Sequence, residues 1–336
     1  MRRLPVYLLL DCSESMIGEP LDAVEDGVRS LLSALRRNPY ALESVSISVI
    51  TFDVKARVAI PLTEVGMFRP PSLSVKPGTS LGAALGLLRD SIERDLVKTT
   101  SETKGDFKPL VFILTDGQPT DDWKRQATLI RTTRPSMANI YSIGCGEEVN
   151  FEIMGQIADV CLRASDLSAD AISKVFVWLS ASVGSSSAKA DDEPMLLANV
   201  PMADGLEVVD LAKPPNFAEK AWVYFHTVCT SSKKFFLARY RLDPKTKSYV
   251  AADAFPLPED FFSEGTPQAP TISSSKIDGQ VPCPFCGARY SFMCDKCKTL
   301  NCFSGKSSSK TVTCAKCGTV LRLNFVDAMD IGGSAG

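Results

Sequence analysis

Val6-Tyr7-Leu8-Leu9-Leu10-Asp11-Cys12-Ser13-Glu14-Ser15 is an apolar run that passes straight into alternating oxygen donors. Five apolar residues in a row read as a buried strand, and Asp11, Ser13 and Ser15 alternate on the short turn after it, so their oxygens can face one point. Carboxylate and hydroxyl oxygens suit a hard cation such as Mg2+, Mn2+ or Ca2+, whereas thiolate and imidazole suit zinc. A second apolar run, Leu110-Val111-Phe112-Ile113-Leu114, ends in Thr115-Asp116-Gly117. Between the two, Lys76-Pro77-Gly78-Thr79-Ser80-Leu81 sets Thr79 where a Pro-Gly turn meets a helix whose apolar face is Leu81, Leu85, Leu88 and Ile92. In an open parallel sheet, ligands bind beyond the carboxyl ends of strands where the strand order reverses, so distant segments can meet there. Asp11, Ser13, Ser15, Thr79 and Asp116 are therefore expected to form one divalent-cation site.

The pattern around these motifs is that of a doubly wound, mostly parallel α/β sheet. Leu21, Val24, Val28, Leu31, Leu32 and Leu35 form one helix stripe, and Val45 to Phe52 reads as the next strand, with an antiparallel edge strand expected over Val54 to Ile60. The unbroken run 110–114 is expected of a central strand covered on both faces. Later strands are expected at Ile140–Gly144 and Val160–Leu162, and a last helix over Ala169–Val183. The polar stretch after Ser91 is expected to end in an exposed loop near the cation face.

Length and composition bound the remainder. A chain of 336 residues with 45% hydrophobic residues can bury a large core and is expected to hold two or three domains. A net charge of -2 gives no global reason for nucleic-acid binding. No apolar run is long enough to span a bilayer, and the apolar start is interrupted by Asp11 and lacks a small-residue cleavage site, so it reads as a first strand of a cytoplasmic protein. Gly184 to Pro194 reads as a linker, residues 195–265 as a small β-rich module, and 266–280 as a second connector. A Cys-rich domain over 281–327 and a flexible tail over 328–336 complete the expected order.

Eleven cysteines, seven of them between Cys283 and Cys317, fit metal binding in a reducing cytosol better than disulfides. Cys283-Pro284-Phe285-Cys286-Gly287 and Cys314-Ala315-Lys316-Cys317-Gly318 are two CxxC knuckles followed by glycine, and their pairing predicts a four-thiolate zinc site of the ribbon type. Cys294, Cys297 and Cys302 remain for a second zinc, which needs an eighth ligand: His226, the sole histidine, a water, or Asp295. Cys12, Cys145, Cys161 and Cys229 lie in or beside apolar segments and read as buried, inert thiols.

Taken together, DxSxS after the first strand, Gly-Thr-Ser in a loop and TDG after a later strand resemble the metal-ion-dependent adhesion site of von Willebrand factor type A domains. The resemblance spans residues 1–183. It implies that Ser13, Ser15 and Thr79 coordinate the cation directly while Asp11 and Asp116 act mostly through water. Three neutral hydroxyls would leave the ion's charge poorly compensated, so an acidic group of another molecule could complete its octahedron. Followed by a Cys-rich metal module, such a domain resembles bacterial TerY-like proteins of the tellurium-resistance and stress-response class. That resemblance implies a protein kinase and a metal-dependent protein phosphatase as partners. The family's terminal domain carries a histidine; here Asn301 stands just before Cys302 and the cysteine cluster has none.

Three functions follow as expectations. The first is a non-catalytic adaptor that captures a partner's acidic residue through the cation. The second is nucleic-acid binding by the zinc ribbon through Lys296, Lys298, Lys306, Lys310, Lys316 and Arg322. The third, a magnesium-dependent phosphohydrolase, lacks parts: Ser13 stands where a second carboxylate would serve acid-base work, no histidine is near, and there is no GxxxxGK[ST] loop.

Overall fold

The computed structural model describes residues 2–102, 104–133, 136–146, 148–188, 201–214, 221–262, 271–304, 311–322, 330–332 and 334–335. The chain divides into two compact units, Met1–Ala218 and Glu219–Gly336.

In the first unit, β1 (Leu4–Asp11), β2 (Val45–Phe52), β3 (Ala56–Glu64), β4 (Leu110–Thr115), β5 (Asn139–Cys145), β6 (Val160–Ala164) and β7 (Leu206–Val208) form one sheet in the order β3-β2-β1-β4-β5-β6-β7. The strands from β2 through β1 and β4 to β6 run parallel, and β3 and β7 are antiparallel edges. Helices α1 (Glu19–Arg37), α2 (Pro39–Ser44), α3 (Leu81–Asp95), α4 (Trp123–Thr132), α5 (Phe151–Ile157) and α6 (Ala169–Ala188) cover both faces. Alternation along β1 divides the core. Val6, Leu8 and Leu10 pack with α1 and α6, whereas Tyr7 and Leu9 pack with α3, α4 and α5. Both layers are needed because β1 is buried along its whole length. Gly27 lets α1 approach α6, since a Cβ there would lie 2.1 Å from the Phe176 ring.

β1 pairs with β2 on one side and β4 on the other. The chain leaves β1 for α1 on one face and enters β4 after α3 on the other, so the strand order reverses between β1 and β4. Asp11 and Thr115 end these two strands, which places both expected carboxylate segments at the reversal point.

Several expectations are corrected. The last helix continues to Ala188, so the expected linker 184–194 begins as helix; its remainder lies outside the described residues. Leu206–Val208, expected in a separate module, joins the first sheet beside β6. The loop after α3 sits at the end opposite the cation face: Phe107 N donates to Arg3 O, and Arg2 donates to Gly105 O, where β1 begins.

The second unit contains β8 (Trp222–Val228), β9 (Phe235–Leu242), β10 (Tyr249–Pro256), β11 (Thr271–Ser273), β12 (Ile277–Asp278), β13 (Tyr290–Met293), β14 (Leu300–Phe303), β15 (Thr311–Thr313), β16 (Val320–Arg322), β17 (Asp330–Gly332) and β18 (Ser334–Ala335). One sheet runs β12-β10-β9-β8-β14-β13, so the expected β-rich module and the Cys-rich domain share strands and a core instead of forming separate domains. Within the expected connector, β11 and β12 are strands, and within the expected flexible tail β17 pairs with β11 and β18 with β8. These strands have two or three residues each, too short for a period to register in sequence.

Candidate metal centres

At the strand reversal in the first unit, Ser13 N donates to Asp11 Oδ1 at 2.9 Å, which folds the chain back after β1. That turn brings Ser13 Oγ within 3.0 Å of Ser15 Oγ, and Ser15 Oγ donates to Asp116 Oδ1 at 2.8 Å. Thr115 Oγ1 donates to Asp11 Oδ2 at 2.6 Å, tying β1 to β4 at their ends. Asp11, Ser13, Ser15, Thr79 and Asp116 are all buried. These hydrogen bonds set the Ser13, Ser15 and Asp116 oxygens side by side at the strand ends, a donor set that suits a hard cation.

The loop that carries Thr79 is anchored beside this place. Lys76 N donates to Cys12 O at 3.0 Å and Gly78 N donates to Glu14 Oε2 at 3.0 Å, both anchoring the loop to the turn after β1. From the other side, Thr79 N donates to Thr120 Oγ1 at 3.0 Å and Thr120 N returns a bond to Thr79 O at 2.9 Å. Asp121 then accepts from Gly82 N and Ala83 N, each at 2.9 Å, holding the start of α3. Glu14, Thr120 and Asp121 were missed in the sequence. A TDG followed closely by Thr-Asp was the available signal, but nothing local shows that these residues reach the Thr79 loop.

Two buried carboxyls meet at this end. Burial pushes the Asp11 carboxyl well above its ordinary range, and the charge of Asp116 adds to the effect. Burial also raises Asp116, against the hydrogen bond from Ser15, with Glu14 adding repulsion. Asp53 nearby is neutralised by Arg57 at 2.7 Å. A divalent ion would relieve the two aspartates together.

The second unit gathers eight thiols into two groups: Cys229, Cys283, Cys286 and Cys302 in centre A, and Cys294, Cys297, Cys314 and Cys317 in centre B. Within each, the sulfur atoms lie within 4.8 Å of one another. Cys286 to Cys302 is 3.5 Å, Cys294 to Cys317 3.6 Å and Cys297 to Cys314 3.7 Å. A tetrahedron with Zn–S bonds of about 2.3 Å has S···S edges of about 3.8 Å, whereas a disulfide would bring sulfurs to about 2.05 Å. The spacing fits a thiolate-bound tetrahedral ion.

This grouping corrects the expected pairing of Cys283 and Cys286 with Cys314 and Cys317. It also supplies the eighth ligand as Cys229, which sequence reasoning had set aside as an inert core thiol. His226 instead packs against Phe261 and Phe262, and Asp295 is exposed beside centre B.

A repeated turn explains the arrangement. At Cys283, Cys294 and Cys314 the cysteine N–H donates to the carbonyl five residues on, and its carbonyl accepts from the N–H four residues on. Cys229 makes the same pair, to Lys234 O and from Lys233 N. The fourth residue after each cysteine has positive φ: Lys233 62°, Gly287 70°, Lys298 57° and Gly318 71°. Cys229-Thr230-Ser231-Ser232 is thus a knuckle with serine in the second thiol position, and Cys302 from β14 fills that place in centre A. The signal was present in the sequence as CxxS followed by two lysines, but serine in place of the second cysteine concealed it, since lysine at the positive-φ position is shared with the Cys294 knuckle.

Cys12, Cys145 and Cys161 belong to the first unit's core, where burial pushes each thiol up, the state of an unreactive cysteine.

A doubly wound sheet with hard-cation donors at its switch point, and a second unit built around two four-thiol centres, define a chain with two kinds of metal-binding domain. The family models agree in both places: the von Willebrand factor type A domain matches residues 6–168 and the TerY-C metal binding domain matches residues 220–336, so the chain carries one domain of each family. A curated relative, uncharacterized protein sll0103 of Synechocystis, is 29% identical over 160 residues, 47% of this chain and 36% of that protein. The chain therefore spans about a third of that relative's length. Among solved structures, a von Willebrand factor type A protein from Catenulispora acidiphila is 17% identical, covering 55% of this chain and 43% of its own, with a TM-score of 0.41. The ArnB paralog VWA2 from Sulfolobus acidocaldarius is 16% identical, covering 76% and 66%, also at 0.41. Proximal thread matrix protein 1 from the mussel byssus, with a zinc occupied MIDAS motif, is 19% identical, covering 55% and 46%, at 0.39.

Proposed function

We propose that this chain is a non-catalytic, metal-dependent adaptor that captures an acidic group of a protein partner through a divalent cation held by Asp11, Ser13, Ser15, Thr79 and Asp116. The observation that carries the reading is the run of buried oxygens from Ser13 through Ser15 to Asp116 across the ends of β1 and β4. Neutral hydroxyls among the donors would leave the ion's charge incompletely balanced, and an incoming carboxylate would supply the missing charge. The sole histidine, His226, lies in the second unit on β8, which leaves the first unit without the usual proton carrier for turnover.

Magnesium is the proposed ion here because the donors are carboxylate and hydroxyl oxygens, which suit a hard cation. In the second unit, Cys229, Cys283, Cys286 and Cys302 would hold one zinc, and Cys294, Cys297, Cys314 and Cys317 another. These ions would stiffen turns that otherwise depend on a small core. The TerY-like resemblance makes a bacterial, cytoplasmic stress-response system with a kinase and a metal-dependent phosphatase the proposed setting. No helix among the described residues is long and apolar enough to cross a membrane. Of the lysines considered for nucleic-acid binding, Lys306 and Lys310 lie outside the described residues.

The test is co-purification of the full chain from its host in magnesium and in EDTA, with wild type, Thr79→Ala and Asp116→Ala. Capture that depends on magnesium and falls about 10- to 100-fold in either variant, with the thermal transition retained, supports the adaptor. Equal capture in EDTA removes it, and phosphate release that vanishes in Asp11→Ala replaces it with an enzyme.

A further inference from the structure

Strand β14 contributes to both thiol centres through adjacent residues. Successive side chains on a strand point to opposite faces, and here Cys302 turns to centre A while Asn301 turns to centre B. Cys302 Sγ lies 3.5 Å from Cys286 Sγ and accepts from Thr230 N at 3.3 Å. Asn301 is fully buried. Its Nδ2 donates to Thr299 O at 2.9 Å and to Cys314 Sγ at 3.6 Å, and its Oδ1 accepts from Ala315 N at 2.8 Å. One amide therefore holds both the sulfur of the first cysteine in the 314–317 knuckle and the backbone of the residue after it. The same strand is fixed in register against β8, where Asn301 pairs with Val228, next to the Cys229 turn of centre A.

We propose that β14 couples the two centres, with Asn301 as the positioning residue for centre B. Ion binding at centre A fixes Cys302, and with it the register of β14. Asn301 is then held where its N–H stabilises the Cys314 thiolate and its carbonyl orients the knuckle. By linkage, filling centre B strengthens centre A by the same factor. Hydrogen bonds to ligating atoms fix ligand orientation and basicity, and their loss costs about 10- to 100-fold in metal affinity. The proposal rests on both groups binding metal, and the experiment separates the two.

The full chain is stripped of metal and titrated with zinc under native mass spectrometry, and with cadmium for NMR. Wild type is expected to pass from empty to doubly loaded with little singly loaded chain. Fewer than two ions at saturation defeats the two-centre reading itself; two ions with abundant singly loaded chain at one equivalent overturns the coupling alone. In Asn301→Ala, one cadmium resonance is expected to move and its ion to be released about 10- to 100-fold more readily, while the other resonance stays. Asn301→Asp keeps the acceptor for Ala315 and loses the N–H donor, so it is expected to fail likewise. Unmoved resonances with wild-type release in both variants overturn the role of Asn301. In Cys302→Ser the ion at centre B is expected to leave faster; release at the wild-type rate overturns the coupling. The wild-type titration decides the coupling even where a variant does not fold.

Discussion

At the scale of single residues, Asp11 and Asp116 tie stability to the cation. Both carboxyls are raised by burial in the folded chain, Asp11 also by the charge of Asp116. A group raised in the folded state contributes stability that is in place below its unfolded pKa, about 4 for a carboxyl, and is lost as pH climbs toward the folded value. Protein in EDTA is accordingly expected to lose thermal stability in its magnesium-responsive transition as pH rises from the acid range to neutrality. Magnesium replaces the proton, so its stabilising increment grows over the same span; calorimetry at several pH values in EDTA and in magnesium measures it, and a flat increment would refute it. Asp11, Ser13, Ser15 and Asp116, which hydrogen bonds bring together, and Thr79, whose loop is anchored beside them, each sit in a short motif at a strand or helix end that sequence displays. Glu14, Thr120, Asp121 and Cys229 were not legible there, since their partners are far away in sequence and their own surroundings look like ordinary turns.

At the scale of elements, the β4–α4 loop is the piece that organises the cation end. It supplies Asp116, braces Thr79 through Thr120, and caps α3 through Asp121. Asp121→Ala is expected to lose about 1 kcal/mol of stability in urea unfolding and to weaken magnesium binding as the Thr79 loop loosens. Asp121→Asn is expected to recover most of the stability, because an amide oxygen still accepts one of the two N–H bonds. Magnesium affinity unchanged in Asp121→Ala would show that the Thr79 loop holds without the cap. The long strands and helices were readable from their periods, β1 and β4 as unbroken apolar runs and α1 as a stripe from Leu21 to Leu35. What escaped were the strands of two or three residues, whose existence depends on a neighbour's free edge and not on any pattern of their own.

At the scale of the whole molecule, the two units depend on different chemistry. The first has two large apolar layers around its sheet, whereas in the second the thiols Cys229, Cys283 and Cys302 are themselves members of the core. Removing metal with a strong chelator at neutral pH is therefore expected to abolish one unfolding transition and leave the other, as for small domains whose metal binding is their folding. Elemental analysis of the untreated protein is expected to give two zinc ions per chain, falling to one in Cys229→Ser; two ions in that variant would exclude Cys229 as a ligand. The order of sequence units was misread at 206–208 and over 266–280 because composition marks linkers by polarity, and short strands recruited by a sheet share that polarity.

Residues 206–208 have a practical meaning. They lie along the outer side of β6 in an antiparallel register, with Leu206 and Val209 each tucked into one of the two apolar layers. A fragment cut after Ala188 would carry every described helix of the first unit and still present a bare rim of amides and carbonyls, an invitation to a second copy. Expressed to residue 214, the fragment is expected to run as a monomer in size-exclusion chromatography, and expressed to 188, to self-associate. The homologous region ends well before this strand, so the boundary that shields the sheet must be found by geometry.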